Sequence, residues 1–479
     1  MASTNQSPSA AVRARVNHPI IDSDGHAVEF GRALFECIAE VGGPGTVDRL
    51  RRLMPVSFGG LSYQQRREQR LWRGPWWALP AENTLDLATA TLPRLLYERL
   101  DEIGLDFTVL YPSLALVFPE FEDEELRRAA CRGVNLYFAR YFGEYRDRMA
   151  PVATVPMHSP REAIEELEFA VGTLGFKAVV MPSFVRRPIT ALAGNTESAR
   201  FTKWIDTYCL DSEYDYDPVW AKCVELKVAP TFHSLSMGIG FRASISNYMY
   251  NHIGHFAASG EALCKALFMG GVTQRFPTLK FAFLEGGVAW GAGLYADLIG
   301  HWEKRNAKDV ERYNPARTDR ELFVSLCQRY GGKLMEDRLN SRALTLPVPD
   351  QGVDLPSRDD WSRCGIKSAE DIRDLFVPHF YFGCEADDPM NATAFDTSRN
   401  PFGARLNAIF SSDIGHWDVP DMREVTHEAH EMVNKGWIDE SDFRRFVFEN
   451  PGRMWLGMNP DFFKGTVVED ATRTLMSKA

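Results

Sequence analysis

Short runs of apolar and β-branched residues recur along the chain, separated by longer amphipathic stretches, which is the pattern of parallel strands joined by crossover helices. Eight such runs start near Pro19 (PIIDSD), Asp106 (DFTVLYPS), Met149 (MAPVATVP), Phe176 (FKAVVMPS), Val228 (VAPTFHS), Leu279 (LKFAFLEGG), His379 (HFYFGCEA) and Ala408 (AIFSSD). Helix starts fall between them. At Ser159-Pro160-Arg161-Glu162 the serine can cap, the proline fits the first turn and the glutamate can close a capping box. Asp217-Pro218 opens a second helix in the same way. Strand and helix alternating eight times predict an α/β fold, a (β/α)8 TIM barrel, because right-handed crossovers close a parallel sheet of eight strands on itself.

Two intervals are longer than a crossover needs. About 80 residues separate the first two runs and include Gly42-Gly43-Pro44-Gly45 and Trp72-Arg73-Gly74-Pro75-Trp76-Trp77; following a strand, this insertion emerges on the catalytic face. A second spacer, from about Tyr330 to Val377, precedes strand seven. The expected organisation is a flexible tail over residues 1–17, one barrel domain over 18–465 with helical insertions at about 31–105 and 330–377, and a C-terminal tail over 466–479. The chain shows no internal repeat.

Composition narrows the function classes. With 45% hydrophobic and 25% charged residues the chain has the make-up of a globular protein with a filled core. A net charge of −11 and the lack of any long basic run argue against nucleic-acid binding; the densest basic group, Arg66-Arg67 with Arg70, reads as a solvated helix face. Eight scattered cysteines with no C-x-x-C pair signal neither a disulfide framework nor a structural zinc module, so a reducing cytoplasm is expected. No run of about 18 apolar residues is present to span a membrane, and the first seventeen residues lack the apolar stretch of a secretory signal.

The chemistry sits where the strands end, since catalytic groups of a TIM barrel project from the C-terminal ends of its strands. Strand one ends Ile20-Ile21-Asp22-Ser23-Asp24-Gly25-His26, so Asp24 and His26 share a face and can meet one ion, with Asp22 as a possible assistant. Strand five ends at His233 and strand eight at Asp413. Taken alone, each of these could cap a helix or satisfy a backbone group. Four at strand ends together select a metal site. Two imidazoles and two carboxylates suit one divalent ion, Zn first, with Mn or Fe as alternatives.

These residues lie in segments that resemble the amidohydrolase-related (amidohydrolase 2) superfamily, in the branch of aminocarboxymuconate semialdehyde decarboxylase and γ-resorcylate decarboxylase. The matching pieces are Asp24-Gly25-His26 with Glu29, Leu105-Asp106-Phe107 to Tyr111-Pro112, Pro230 to His233, Arg275-Phe276-Pro277 through Leu284-Glu285-Gly286-Gly287, Ser412-Asp413-Ile414-Gly415-His416-Trp417-Asp418, and Glu449-Asn450-Pro451 to Leu456-Gly457. The resemblance implies that Asp24, His26, His233 and Asp413 ligate one divalent ion, and that the protein is a homodimer. One departure stands out. Where decarboxylases of this branch carry a Gly-His pair at the end of strand six, this chain has Glu285, which can act as a base, shuttle a proton or hold a neighbour, but offers no cationic donor to a substrate carboxylate. A purely structural role for Glu285, bonding a neighbouring loop, is the competing reading.

Asp413 can serve as ligand and proton acceptor, and His416 can orient it or donate to a leaving group, or simply cap a loop. His252 and His255 share a helix face and are candidates for the substrate pocket. Trp76 and Trp77, with Trp72, are candidates for a lid over an apolar substrate, against core packing or a dimer contact. Gly238-Ile239-Gly240-Phe241-Arg242-Ala243 imitates a dinucleotide fingerprint but lacks the surrounding two-strand unit, and neither a G-x-S-x-G elbow nor a P-loop occurs. The leading expectation is metal-assisted hydrolysis of a small organic acid, amide, lactone or diketone, with Asp413, Glu285 and His416 as catalytic residues. The alternatives are non-oxidative decarboxylation of an aromatic or unsaturated acid and, outside enzymes, a ligand-binding barrel.

Overall fold

A computed structural model describes residues 6–57, 60–75, 83–192, 202–233, 240, 242–314, 317–336 and 359–477. Eight strands form one sheet in sequential order: β1 (Ile21–Ala27), β2 (Phe107–Pro112), β3 (Met149–Thr154), β4 (Ala178–Met181), β5 (Pro230–Phe232), β6 (Phe281–Phe283), β7 (Phe380–Cys384) and β8 (Asn407–Phe410). Every neighbouring pair is parallel. The sheet closes just past β8, where Asp413 N donates to Asp24 O (2.9 Å) and His26 N to Ile414 O (2.8 Å). Each strand coincides with one of the eight apolar runs, and the fold is a (β/α)8 barrel with its helices outside. Buried aromatics, Phe232, Phe281, Phe283, Phe380 and Phe382 among them, fill the space around β5 to β7.

Strand β1 is the hinge of the closure. Its pairing with β2 slips between Asp22 and Gly25, so three steps on β1 match two on β2, a bulge that turns the strand's end. The bulge needs Gly25: a Cβ there would lie 2.6 Å from both Asp22 Oδ2 and Thr108 Oγ1. Asp22 itself is saturated. Its Oδ1 accepts from Asp24 N (3.1 Å) and Ser412 N (2.8 Å), and its Oδ2 from Thr108 Oγ1 (2.6 Å) and Ser412 Oγ (2.8 Å). One buried carboxylate thus ties β8, β1 and β2 together, which leaves Asp22 no open lone pair for a metal.

Several segments differ from the sequence expectation. Within the expected N-terminal tail, Pro8–Arg15 is a helix, capped by Ser7 and docked through buried Ser9, whose Oγ accepts from Thr426 N (3.0 Å), and through Arg13, which reaches Asp106 Oδ1 (2.9 Å). Within the C-terminal one, Glu469–Ser477 is a helix packed on Asn450–Met458. An antiparallel hairpin, Val185–Pro188 with Lys203–Asp206, lies between β4 and β5; its four-residue strands, one reading Val-Arg-Arg-Pro, carry no alternation that marks them. Ser159 caps as expected, but Glu162 turns away from the box to Arg127 (2.8 Å), and Asp217 pairs with Arg275 (2.6 Å) instead of capping. Arg66 is not on a solvated face: it is buried, and its Nε donates to Ile245 O (2.7 Å). Among the described residues, five helices, from Gly31–Gly42 to Pro93–Ile103, lie between β1 and β2. All eight cysteines are free, and among the described residues no helix is long and apolar enough to cross a membrane.

Two stability predictions follow from β1 and its exit loop. Asp22→Ala leaves Thr108, Ser412 and the Asp24 amide unmatched inside the barrel and costs about 2–4 kcal/mol by urea unfolding, whereas a loss under about 1 kcal/mol would show that the brace is dispensable. Glu29 accepts from Leu114 N (2.9 Å) and Ala115 N (3.1 Å), yet burial lifts its carboxyl from 4.5 to about 7. The folded state therefore favours the protonated acid. Stability is full below pH 4.5 and declines as pH rises through about 7. Measured against Glu29→Gln, the wild type should lose about 3 kcal/mol at most over that window, and parallel pH profiles would refute the assignment.

Candidate active site

The strand ends of β1, β5, β6, β7 and β8 meet in one buried cluster of acids and imidazoles. Asp24 and His26 come from the bulged end of β1, His233 follows β5, and Asp413 follows β8. All four are at most 3% exposed, although each carries ionisable chemistry. His26 Nε2 stands 3.4 Å from Asp24 Oδ1 and 3.4 Å from Asp413 Oδ1, and the His26 and His233 rings meet edge to face at 5.1 Å. The sequence-predicted quartet is brought together.

Two further predicted residues join it. Glu285, just past β6, places Oε2 2.8 Å from His233 Nε2, and His416 places Nδ1 2.6 Å from Asp413 Oδ1 while its ring stacks on His26 at 3.7 Å. Glu285 and Asp413 both have a left-handed backbone, with φ of 59° and 51°. That conformation costs a non-glycine residue of order 1 kcal/mol or more and is held here by the surrounding barrel, where it aims both carboxyls inward.

The tautomer of His26 follows from one contact. Its Nδ1 lies 3.1 Å from Pro112 O, which can only accept, so Nδ1 carries the proton and Nε2 keeps a lone pair directed at Asp24 and Asp413. Burial, with His416 and His233 beside it, pushes His26 well below the usual histidine range, and burial lowers His416 to about 4, so both rings are neutral. The carboxyls move the other way. Burial raises Asp24, reinforced by Glu285, Asp22 and Glu385; burial raises Asp413, reinforced by Asp418 and Glu285; and burial raises Glu285, reinforced by Asp418. The charges acting on Asp24 and Glu285 are all carboxylates.

A cation fits this arrangement on a direct structural count. Both oxygens of Asp24 and Nε2 of His26 are buried and lack a hydrogen-bond partner. Buried polar groups are almost always paired, so three orphaned acceptors in one place are unsatisfied unless a positive ion meets them. Ligand atoms of Asp24, His26 and His233 lie within 4.8 Å of one another, as do those of His26, Glu285, Asp413 and His416. The two sets share His26.

Beside the cluster opens a cavity of about 190 Å³, lined by His252, Phe256, Glu285, Gly287, Glu385 and Asp388 among others. His252, a pocket candidate from sequence, lines this cavity. His255 does not: it lies buried at the start of helix His255–Met269, where burial lowers it to about 3. Trp76 and Trp77 lie outside the described residues, as do Gly238, Ile239 and Phe241 of the fingerprint-like loop. The described part of the first insertion braces the cavity from outside, because Arg73 N donates to Ser244 O (2.9 Å) and Asn251 Nδ2 to Arg73 O (3.1 Å), pinning the segment that carries His252. Glu385 and Asp418 escaped the sequence reading. Both were within quoted segments, one residue past β7 and at the end of the strand-eight motif, and an acid directly after a barrel strand is the signal that marks Glu385.

Eight parallel strands with acids and imidazoles converging at their C-terminal ends define a TIM-barrel enzyme. The chain belongs to the amidohydrolase family, whose model, described as Amidohydrolase, matches residues 70–314, just over half of the 479 residues. That span holds His233 and Glu285. Solved structures share the fold at low identity. An amidohydrolase from Mycobacterium avium subsp. paratuberculosis K-10 is 15% identical, with a TM-score of 0.51 over 92% of this chain and 100% of that one. A 2,6-dihydroxybenzoate decarboxylase from Rhizobium is 14% identical, with a TM-score of 0.47 over 91% and 98%. A 5-carboxyvanillate decarboxylase from Novosphingobium aromaticivorans DSM 12444, complexed with manganese, is 14% identical, with a TM-score of 0.47 over 92% and 96%.

Orphaned acceptors predict an inverted stability effect. In chelator-treated protein at pH 8, Asp24→Asn should be more stable than the wild type by about 1–3 kcal/mol in urea unfolding, because it relieves the cost of an uncompensated buried carboxylate. A loss of that size would show that Asp24 is already satisfied by the protein.

Proposed function

We propose that this chain is a metal-dependent, non-oxidative decarboxylase of a small, single-ring aromatic or unsaturated carboxylic acid. Asp24, His26, His233 and Asp413 would hold one divalent ion, with Zn, Mn and Fe as the candidates for this mixed nitrogen and oxygen donor set. Once bound, such an ion supplies positive charge against substrate oxygens and acidifies water. The reaction class is the one carried in the names of two fold neighbours, but the support for it comes from this site.

The observation that carries the reading is Glu385. It lines the cavity, and burial, with Asp418 and Glu285 nearby, holds its carboxyl protonated well above the usual range. A protonated acid facing the substrate is what replacement of a carboxyl group by hydrogen demands. As the bond between the carbon skeleton and the carboxylate breaks, the electron pair stays on that carbon, Glu385 delivers its proton there, and carbon dioxide leaves. Solvent then returns a proton to Glu385. His416 steadies Asp413 and the ring of His26 through its 2.6 Å and 3.7 Å contacts, while Phe256 and His252 wall the cavity. The volume, about 190 Å³, suits one ring, since a cavity of about 150 Å³ accepts benzene. An anionic substrate entering beside Glu285 and Asp388 meets repulsion that a bound cation would offset, so binding itself should depend on the metal.

Hydrolysis has one observation in its favour. The 2.6 Å contact between Asp413 Oδ1 and His416 Nδ1 is an acid–imidazole pair suited to taking a proton from water. The two reactions separate cleanly: decarboxylation releases carbon dioxide, and in heavy water places deuterium on the product carbon, whereas hydrolysis incorporates oxygen from labelled water. With an active substrate from a panel of ring-hydroxylated benzoates and related acids, Glu385→Gln should keep the metal and lower kcat about 10²–10⁴-fold, and His233→Ala should lose metal and activity together. A Glu385→Gln variant within threefold of wild type would remove Glu385 from the chemistry, and labelled oxygen in the product would replace decarboxylation with hydrolysis.

A further inference from the structure

Next to the predicted quartet, three residues outside it converge from different elements. His252 ends the helix Tyr248–His252, Glu285 follows β6, and Asp418 lies in the loop after β8. One ligand atom from each lies within 4.8 Å of the others. Two buried atoms here, His252 Nδ1 and Asp418 Oδ1, lack a hydrogen-bond partner, and Glu285 Oε2 reaches His233 Nε2 at 2.8 Å on its other side. The Glu285 side chain is only 4% exposed. The His252 ring is stacked on Tyr248 at 5.4 Å and flanked by Phe256 and Trp417, each at 5.5 Å, so its orientation is set by packing before any ligand arrives. Burial also keeps this imidazole neutral, with a lone pair to give.

We propose that His252, Glu285 and Asp418 form a second divalent-cation site, and that Glu285 is shared between it and the cluster around His26 and Asp413. Sharing follows from the geometry, because Glu285 groups with His252 and Asp418 on one side and with His26, Asp413 and His416 on the other. Charge balance points the same way. Asp24, Asp413, Glu285 and Asp418 belong to neighbouring groups of ligand atoms that share His26 and Glu285, and one dication offsets only two of these carboxylates. Two carboxylates and one imidazole form a hard, oxygen-rich donor set that suits Mn2+. The glutamate that replaces the expected strand-six imidazole thereby acquires a purpose: a carboxylate has two oxygens and can bridge two ions, which one imidazole lone pair cannot.

The inference rests on the first site being a metal site, and stoichiometry distinguishes the two. The full chain, stripped with a chelator, is titrated with Mn2+; bound metal is counted by elemental analysis and the spin state is followed by electron paramagnetic resonance. Wild type should take two ions per chain and show an exchange-coupled signal at saturation. Asp418→Asn and His252→Gln should each take one and show only an uncoupled signal. Saturation of the wild type at one ion overturns the second site and leaves the first intact; no bound ion overturns both. Two coupled ions retained in both variants overturn the assignment of these residues. The wild-type count decides the matter even if a variant fails to fold.

Discussion

Carboxylates taken out of water must be neutralised by a proton or met by a cation, and this barrel buries Asp24, Glu285 and Asp413 around one mouth with no lysine or arginine among the charges acting on Asp24 or Glu285. Everything distinctive about the site follows from that constraint. Neutral imidazoles, raised carboxyls and unpartnered oxygens are separate expressions of one unmet demand for positive charge. A protein evolved only for stability would not keep such a cluster, since each unpaired acid weakens the fold.

Two aspartates two residues apart show how finely the backbone assigns roles. The Asp22 carboxylate accepts four hydrogen bonds and braces three strands, while the Asp24 carboxylate, displaced by the bulge, accepts none. Glycine at position 25 makes the bulge possible, and left-handed backbone at Glu285 and Asp413 turns the exits of β6 and β8 toward the same point. Strain and unsatisfied polarity are concentrated at one end of the barrel, and the aromatic packing around β5 to β7 gives the frame rigidity enough to sustain both.

The strands were legible because each falls in a short apolar run closed by turn chemistry, and the quartet was legible because its members sit directly where those runs stop. Asp22 and Asp24 could not be told apart, since plain alternation puts both on one face and only the bulge separates them. Glu385 was visible as an acid after a strand but carried no motif, and Asp418 reaches the site through loop geometry that no spacing encodes. The terminal helices were read as tails because their stability comes from docking, through Ser9 and Arg13 at one end and the helix Asn450–Met458 at the other, and not from strong local periodicity. Ordering the reactions also required the structure: Asp413 is the acid visible in sequence and favours hydrolysis, whereas the proposed decarboxylation rests on Glu385, which lines the cavity and whose carboxyl burial raises.

The central claim is that Asp24, His26, His233 and Asp413 surround one cation. Diffraction from crystals grown with manganese, recorded on both sides of the metal's absorption edge, tests it most directly. The account predicts an anomalous peak within coordination distance of all four side chains. An ordered site with these side chains in place and no peak between them would contradict it.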